Sequence, residues 1–113
     1  MSNLQAPVRV ACIQMTIQRN QVEANLNTAR RMIEDACMQG ANLLVLPELF
    51  STGCVFIDRK EAYASAEPVP QGRASQLLLE LAEKYQVYIV ASMLEEAGPD
   101  LFNTAILAGP DGL

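Results

Sequence analysis

The sequence predicts an α/β fold, and three observations predict it. An apolar stretch, PVRVACIQM, is followed by a long amphipathic segment and then by a second apolar stretch, LLVL, giving the order strand, helix, strand. A second amphipathic segment, residues 73–86, runs directly into a third apolar stretch, VYIVASM. Half of the 113 residues are hydrophobic, which is enough for one core in a chain whose length sets one domain as the expectation.

Each element follows from its residues. In residues 7–15, Val8, Val10 and Cys12 alternate with Arg9, Ala11 and Ile13; apart from Arg9 both sets are apolar, which predicts an interior strand covered on two sides. Residues 20–39 carry Val22, Leu26, Ala29, Ile33 and Ala36 at steps of three and four, one apolar stripe along a helix. Asn20 with Glu23 is placed to cap its start, and Gly40 to take the left-handed conformation that ends it. Residues 43–46 then form a short buried strand, and a strand–helix–strand unit joins two parallel strands. A short helix over 58–66 has Asp58 and Glu61 as its cap pair, and EPVPQG, residues 67–72, breaks it. The helix over 73–86 points Ala74, Leu77, Leu78, Leu81 and Tyr85 inward. Residues 87–93 form a third strand, AGPD turns the chain, and residues 101–108 return antiparallel as a fourth. GPDG, residues 109–112, is a turn signal with almost nothing after it, so the sequence reads as one cut in the middle of a fold.

Composition narrows the function classes. A net charge of −5 with eight scattered basic residues argues against nucleic acid as a partner. No apolar run approaches the roughly 20 residues that span a bilayer. The start, MSNLQAPVRV, lacks the basic opening and apolar core of a signal peptide, so the expectation is a cytoplasmic protein with no membrane partner. The three cysteines, Cys12, Cys37 and Cys54, form no CxxC pair, so no metal site is signalled, and all three read as buried or half-buried packing thiols. There is no histidine, which excludes Ser-His-Asp and Cys-His devices built from this chain alone.

The stretch NLLVLPELFSTG, residues 42–53, raises the functional question. Glu48 stands between an apolar strand and the apolar pair Leu49 and Phe50. One reading is a loop carboxylate paired with an arginine or a backbone N–H. The other starts from position, because open α/β sheets bind ligands beyond the carboxyl ends of their strands. Glu48 lies two residues past a strand end, after a proline that fixes the chain direction. Apolar neighbours around the carboxylate would favour the neutral acid and move it toward general-base duty.

The motif LLVLPELFSTG resembles the catalytic-glutamate motif of the nitrilase superfamily, the carbon–nitrogen hydrolases. VRVACIQM is similar to that family's opening strand, with Gln14 at its end; LAEKYQVYIVASMLEE resembles the following helix and strand, and LFNTAILAGPDGL the next strand and turn. The pieces are collinear and cover nearly the whole chain, which the resemblance identifies as the N-terminal part, residues 1–113, of a single carbon–nitrogen hydrolase domain. It implies a truncated portion of an α-β-β-α sandwich and a Glu–Lys–Cys device, with Glu48 as the catalytic base toward a cysteine thiol that attacks a small-molecule amide, N-carbamoyl or nitrile carbon. It implies no metal and no organic cofactor, and association into homo-oligomers.

Of that device only Glu48 matches. The family's lysine and cysteine fall after the turn at 109–112. Lys60 and Lys84 do not fit the lysine motif, and Cys54, close to Glu48 in sequence, reads as a small packing thiol. Phe50 is a candidate wall of the substrate pocket or else a core aromatic. Asn103 matches a family position near the site, although an Asn bonding backbone at a strand start is the simpler reading. Glu95 and Glu96 read as solvated. The competing possibilities are an inactive truncated product and a non-catalytic α/β interaction module; the second lacks a glycine-rich phosphate loop after the first strand.

Overall fold

The computed structural model describes residues 7–113. In chain order the elements are β1 (Val10–Cys12), α1 (Val22–Met38), β2 (Leu43–Val45), α2 (Arg59–Ser65), α3 (Arg73–Tyr85), β3 (Tyr88–Ala97) and β4 (Asp100–Ala108). One sheet orders the strands β1-β2-β3-β4, the first three parallel and the last antiparallel to β3. The helices, the parallel crossover units and the closing hairpin all agree with the reading of the sequence.

The register explains how the sheet divides its two faces. Strand residues alternate in direction, so Ile89, Ala91 and Met93 share one face with Ile106 and Ala108, their cross-strand neighbours. That face is buried under Leu26, Ala29 and Ile33 of α1 and Ala74, Leu77, Leu78 and Leu81 of α3, and Leu44 lies at its centre. The other face presents Val10, Cys12, Val45, Tyr88 and Leu107, and among the described residues no layer lies over it. Val10 remains 57% exposed and Leu107 52%. The sequence expectation that β1 is covered on two sides is therefore corrected. Val8, just before it, and its Val10 and Cys12 are exposed at a sheet edge, because none of the described residues packs on that side.

Two cap expectations fare differently. Asp58 does cap α2, accepting from the Glu61 backbone N–H at 2.8 Å. Asn20 does not cap α1. It adopts a left-handed φ of +56°, and its side-chain oxygen accepts from the Ser65 hydroxyl at 2.7 Å, tying the loop before α1 to the end of α2. Gly40 ends α1 at φ +94°, as expected for a C-terminal glycine.

β2 stops at Val45, whereas β3 and β4 continue well beyond it as a long hairpin. Leu46 still donates to Val90 at 2.9 Å, after which the chain leaves the sheet. The turn that carries Glu48 occupies the space beside this overhang, at the carboxyl ends of the parallel strands.

Candidate active site

The Glu48 turn is built by backbone contacts on both sides of the glutamate. Leu49 adopts a left-handed φ of +48°, a conformation that costs a side-chain-bearing residue about 1–2 kcal/mol. Three hydrogen bonds hold it there. The Leu49 N–H donates to the Ser92 hydroxyl on β3 at 2.9 Å, and the Leu49 carbonyl accepts from Gly53 at 2.8 Å and from Thr52 at 3.2 Å. Leu49 and Phe50 then turn into the protein, where Phe50 has no exposed surface at all. Their apolar side chains thus anchor the turn and do not enclose the carboxylate; Glu48 itself is exposed. Phe50 sits in the core with Leu44 and Leu78.

A buried asparagine supports the loop from beneath. Asn25 on α1 is 1% exposed and donates to the carbonyls of Gln18, at 2.7 Å, and Ser51, at 3.0 Å, while accepting from the Gln18 N–H at 2.8 Å. It therefore joins the segment after β1 to the segment after β2. The sequence reading missed it, because Asn25 lies beside the apolar stripe of α1 and its partners are loop backbone groups with no side-chain signature.

The carboxylate itself is met by Asn103. Its Nδ2 donates to Glu48 Oε2 at 2.7 Å across 55 residues of sequence. This corrects the simpler reading of Asn103 as a backbone-bonding residue at a strand start: it is the fourth residue of β4 and its amide is spent on the glutamate. The pairing of Asn103 with Leu94 and of Ala105 with Ser92 places Asn103 and Ser92 on the same, uncovered face of the sheet. Glu48 therefore stands at the rim of that face. An open groove of about 560 Å³ runs along Cys12–Thr16 and Val45–Pro47, the last of these the residue before Glu48.

The remaining candidates lie elsewhere. Among the described residues the ion pairs are Arg19–Glu61, Arg30–Glu80 and Lys84–Glu34, so Glu48 has no cationic partner and Lys84 serves the helix layer. Lys60 is exposed on α2. Cys12 and Cys54 are exposed, against the expectation of packed thiols: Cys12 faces the uncovered side of the sheet, and Cys54 follows the turn into an open loop. Cys37 alone is partly buried, and that burial, followed by the nearby Glu34, raises its thiol above the ordinary value. Glu95 is not simply solvated; its carboxylate accepts from the Thr104 hydroxyl at 2.6 Å. Among the described residues no group of three or more His, Cys, Asp or Glu side chains is placed to hold a metal ion, and no helix is long and apolar enough to cross a membrane.

A mostly parallel α/β sheet thus carries Glu48 beyond the carboxyl ends of its strands, the edge at which open α/β sheets bind ligands. Residues 9–113 match the carbon-nitrogen hydrolase family model, and the chain belongs to that family. It is 41% identical over 105 residues to a nitrilase of Pyrococcus abyssi, covering 93% of this chain and 40% of the relative. It is 38% identical over 107 residues to the omega-amidase NIT2 of Danio rerio, covering 92% of this chain and 36% of that protein. Its fold superimposes with a TM-score of 0.82 on a CN-hydrolase superfamily protein from Xanthomonas campestris, at 22% identity over 96% of this chain and 39% of the other. The chain thus spans about two fifths of the length of the proteins it resembles, and its sheet and helices match part of the nitrilase fold.

Proposed function

We propose that this chain supplies the general base of a carbon–nitrogen hydrolase acting on a small amide or nitrile, and that Glu48 is that base. The observation that carries the reading is a carboxylate fixed beyond the end of a parallel strand, with one oxygen held by Asn103 and its other side open to an approaching group. The similarity to a nitrilase and to an omega-amidase supports the substrate class. In the proposed reaction Glu48 takes the proton of a cysteine thiol, and the thiolate bonds to the substrate carbon. A lysine ammonium stabilises the charge that develops on the substrate oxygen or nitrogen. Glu48 passes that proton to the substrate nitrogen, which leaves as ammonia or an amine (a nitrile, bonded first as a thioimidate, takes up one water before its ammonia leaves). Glu48, again a carboxylate, draws a proton from the water that releases the acid and returns it to the departing cysteine sulfur.

The thiol and the lysine of this mechanism come from polypeptide outside the 113 residues. The uncovered face of the sheet supports this, because Glu48 stands at its rim and whatever layer covers the face brings side chains to the carboxylate. The 113-residue chain alone is accordingly inactive: a base without its nucleophile retains little of the rate of the complete device. The test is ammonia release from a panel of amides, N-carbamoyl amino acids and nitriles by this chain and by the longer enzyme that contains it. The expected outcome is no turnover by the short chain, turnover by the long one, and a loss of about 100-fold or more in kcat for Glu48→Gln in the long one. Turnover by the short chain that disappears in Cys54→Ala would make Cys54 the nucleophile and overturn the proposal.

A further inference from the structure

We propose that Asn103 is a positioning residue for Glu48: its amide occupies one carboxylate oxygen, fixes the side-chain torsions and leaves the other oxygen to receive the proton. This rests on the reading of Glu48 as the base. The geometry that points to it is the Nδ2–Oε2 hydrogen bond of 2.7 Å, while among the described residues nothing donates to Oε1. A glutamate has three side-chain torsions, and ordering it costs conformational entropy that a short hydrogen bond offsets. The backbone of the turn is already held by Ser92, Thr52 and Gly53 through Leu49. The side chain of Glu48 is the one freedom left, and Asn103 removes it.

Asn103 is suited to the task because its own place is over-determined. It sits within a hairpin paired continuously from Ile89 with Ala108 to Ala97 with Asp100. Its neighbour Thr104 donates to Glu95 on the adjacent strand at 2.6 Å, pinning the register one residue away. Asparagine reaches with only two torsions and carries no charge. A lysine or arginine there would set a full charge against the carboxylate, whereas the neutral amide orients it by the hydrogen bond alone.

The test uses the longer enzyme with Asn103→Leu, which keeps the volume and removes the donor, and Asn103→Asp, which keeps the shape and sets a like charge against Glu48. The expected result is a kcat lower by about 10- to 100-fold in Asn103→Leu with KM changed less than about threefold. Asn103→Asp lowers kcat at least as far, again with KM nearly unchanged, a split that a merely space-filling role would not produce, and it serves as the readout if the leucine variant fails to fold. Unchanged turnover in both variants, alongside an inactive Glu48→Gln, would overturn the role of Asn103 and leave the base in place. A fully active Glu48→Gln would overturn both.

Discussion

Asn25 shows how one residue can carry the architecture around a site. It joins α1 to two loops with three hydrogen bonds, and its replacement by leucine would leave the Gln18 N–H and the carbonyls of Gln18 and Ser51 without their partner. Each buried polar group so stranded costs about 1–3 kcal/mol, reduced wherever water reaches it. Asn25→Leu should therefore lower the unfolding free energy by about 2–4 kcal/mol, read as a fall in the urea midpoint with the slope unchanged. A midpoint within error of the parent would mean the loops are held by other contacts. Residues of this kind mark the limit of reading the sequence. Glu48 is legible because it breaks an apolar run at a strand end. Asn25 and Asn103 are ordinary polar residues locally; their meaning comes from partners 26 and 55 residues away, fixed by loop paths and strand register.

At the scale of elements, periodicity carried most of the fold. Both long helices and the hairpin agree with their apolar patterns, since a stripe or an alternation states which face is inward. Exposure of a strand is not so encoded: β1 is apolar on both faces, yet among the described residues only its helix side is covered. Between α1 and α3 the surface pair Arg30–Glu80, at 2.6 Å, stitches the helix layer. The hydrogen bond from Arg30 holds the Glu80 carboxyl below its ordinary value of 4.5. A carboxylate depressed on folding adds stability above its unfolded value and loses it as the pH falls through its folded value. Both side chains are more than a third exposed, so solvent screens the pair heavily. A double-mutant cycle with Arg30→Ala and Glu80→Ala should give a coupling of under about 1 kcal/mol at neutral pH that fades on acidification. A larger coupling that persists in acid would point to packing of the arginine stem.

At the scale of the molecule, the asymmetry of the sheet dominates. One face is a packed core, while the other offers valine, cysteine, tyrosine and leucine to solvent. Contiguous apolar surface of this kind drives association, and β1 and β4 both present strand edges. The 113-residue chain should therefore self-associate at micromolar concentration in sedimentation velocity, and Val10→Lys with Leu107→Lys should shift it toward monomer without changing its circular dichroism. A parent chain that sediments as a monomer would show that the bare face is tolerated.

The hairpin of β3 and β4 has a consequence for how this segment tolerates changes in length. Its two-residue turn, Gly98 and Pro99, ends four residues before Asn103 and lends no side chain to the site, although the Pro99 carbonyl accepts from the Tyr63 hydroxyl. Yet it acts as a gauge. One residue added there and absorbed by a slip of β4 would exchange Asn103 for Phe102 or Thr104 opposite Leu94, and the amide would move to the other side of the sheet. A loop on the outside of the molecule is thus under a constraint of count, beside the conformational one set by Gly98 at φ +61°. In the longer hydrolase proposed above, single-residue insertions at 98–99 should abolish turnover, whereas substitutions that preserve the turn should be silent. If insertions prove as harmless as substitutions, a bulge has taken up the extra residue before it reaches Asn103.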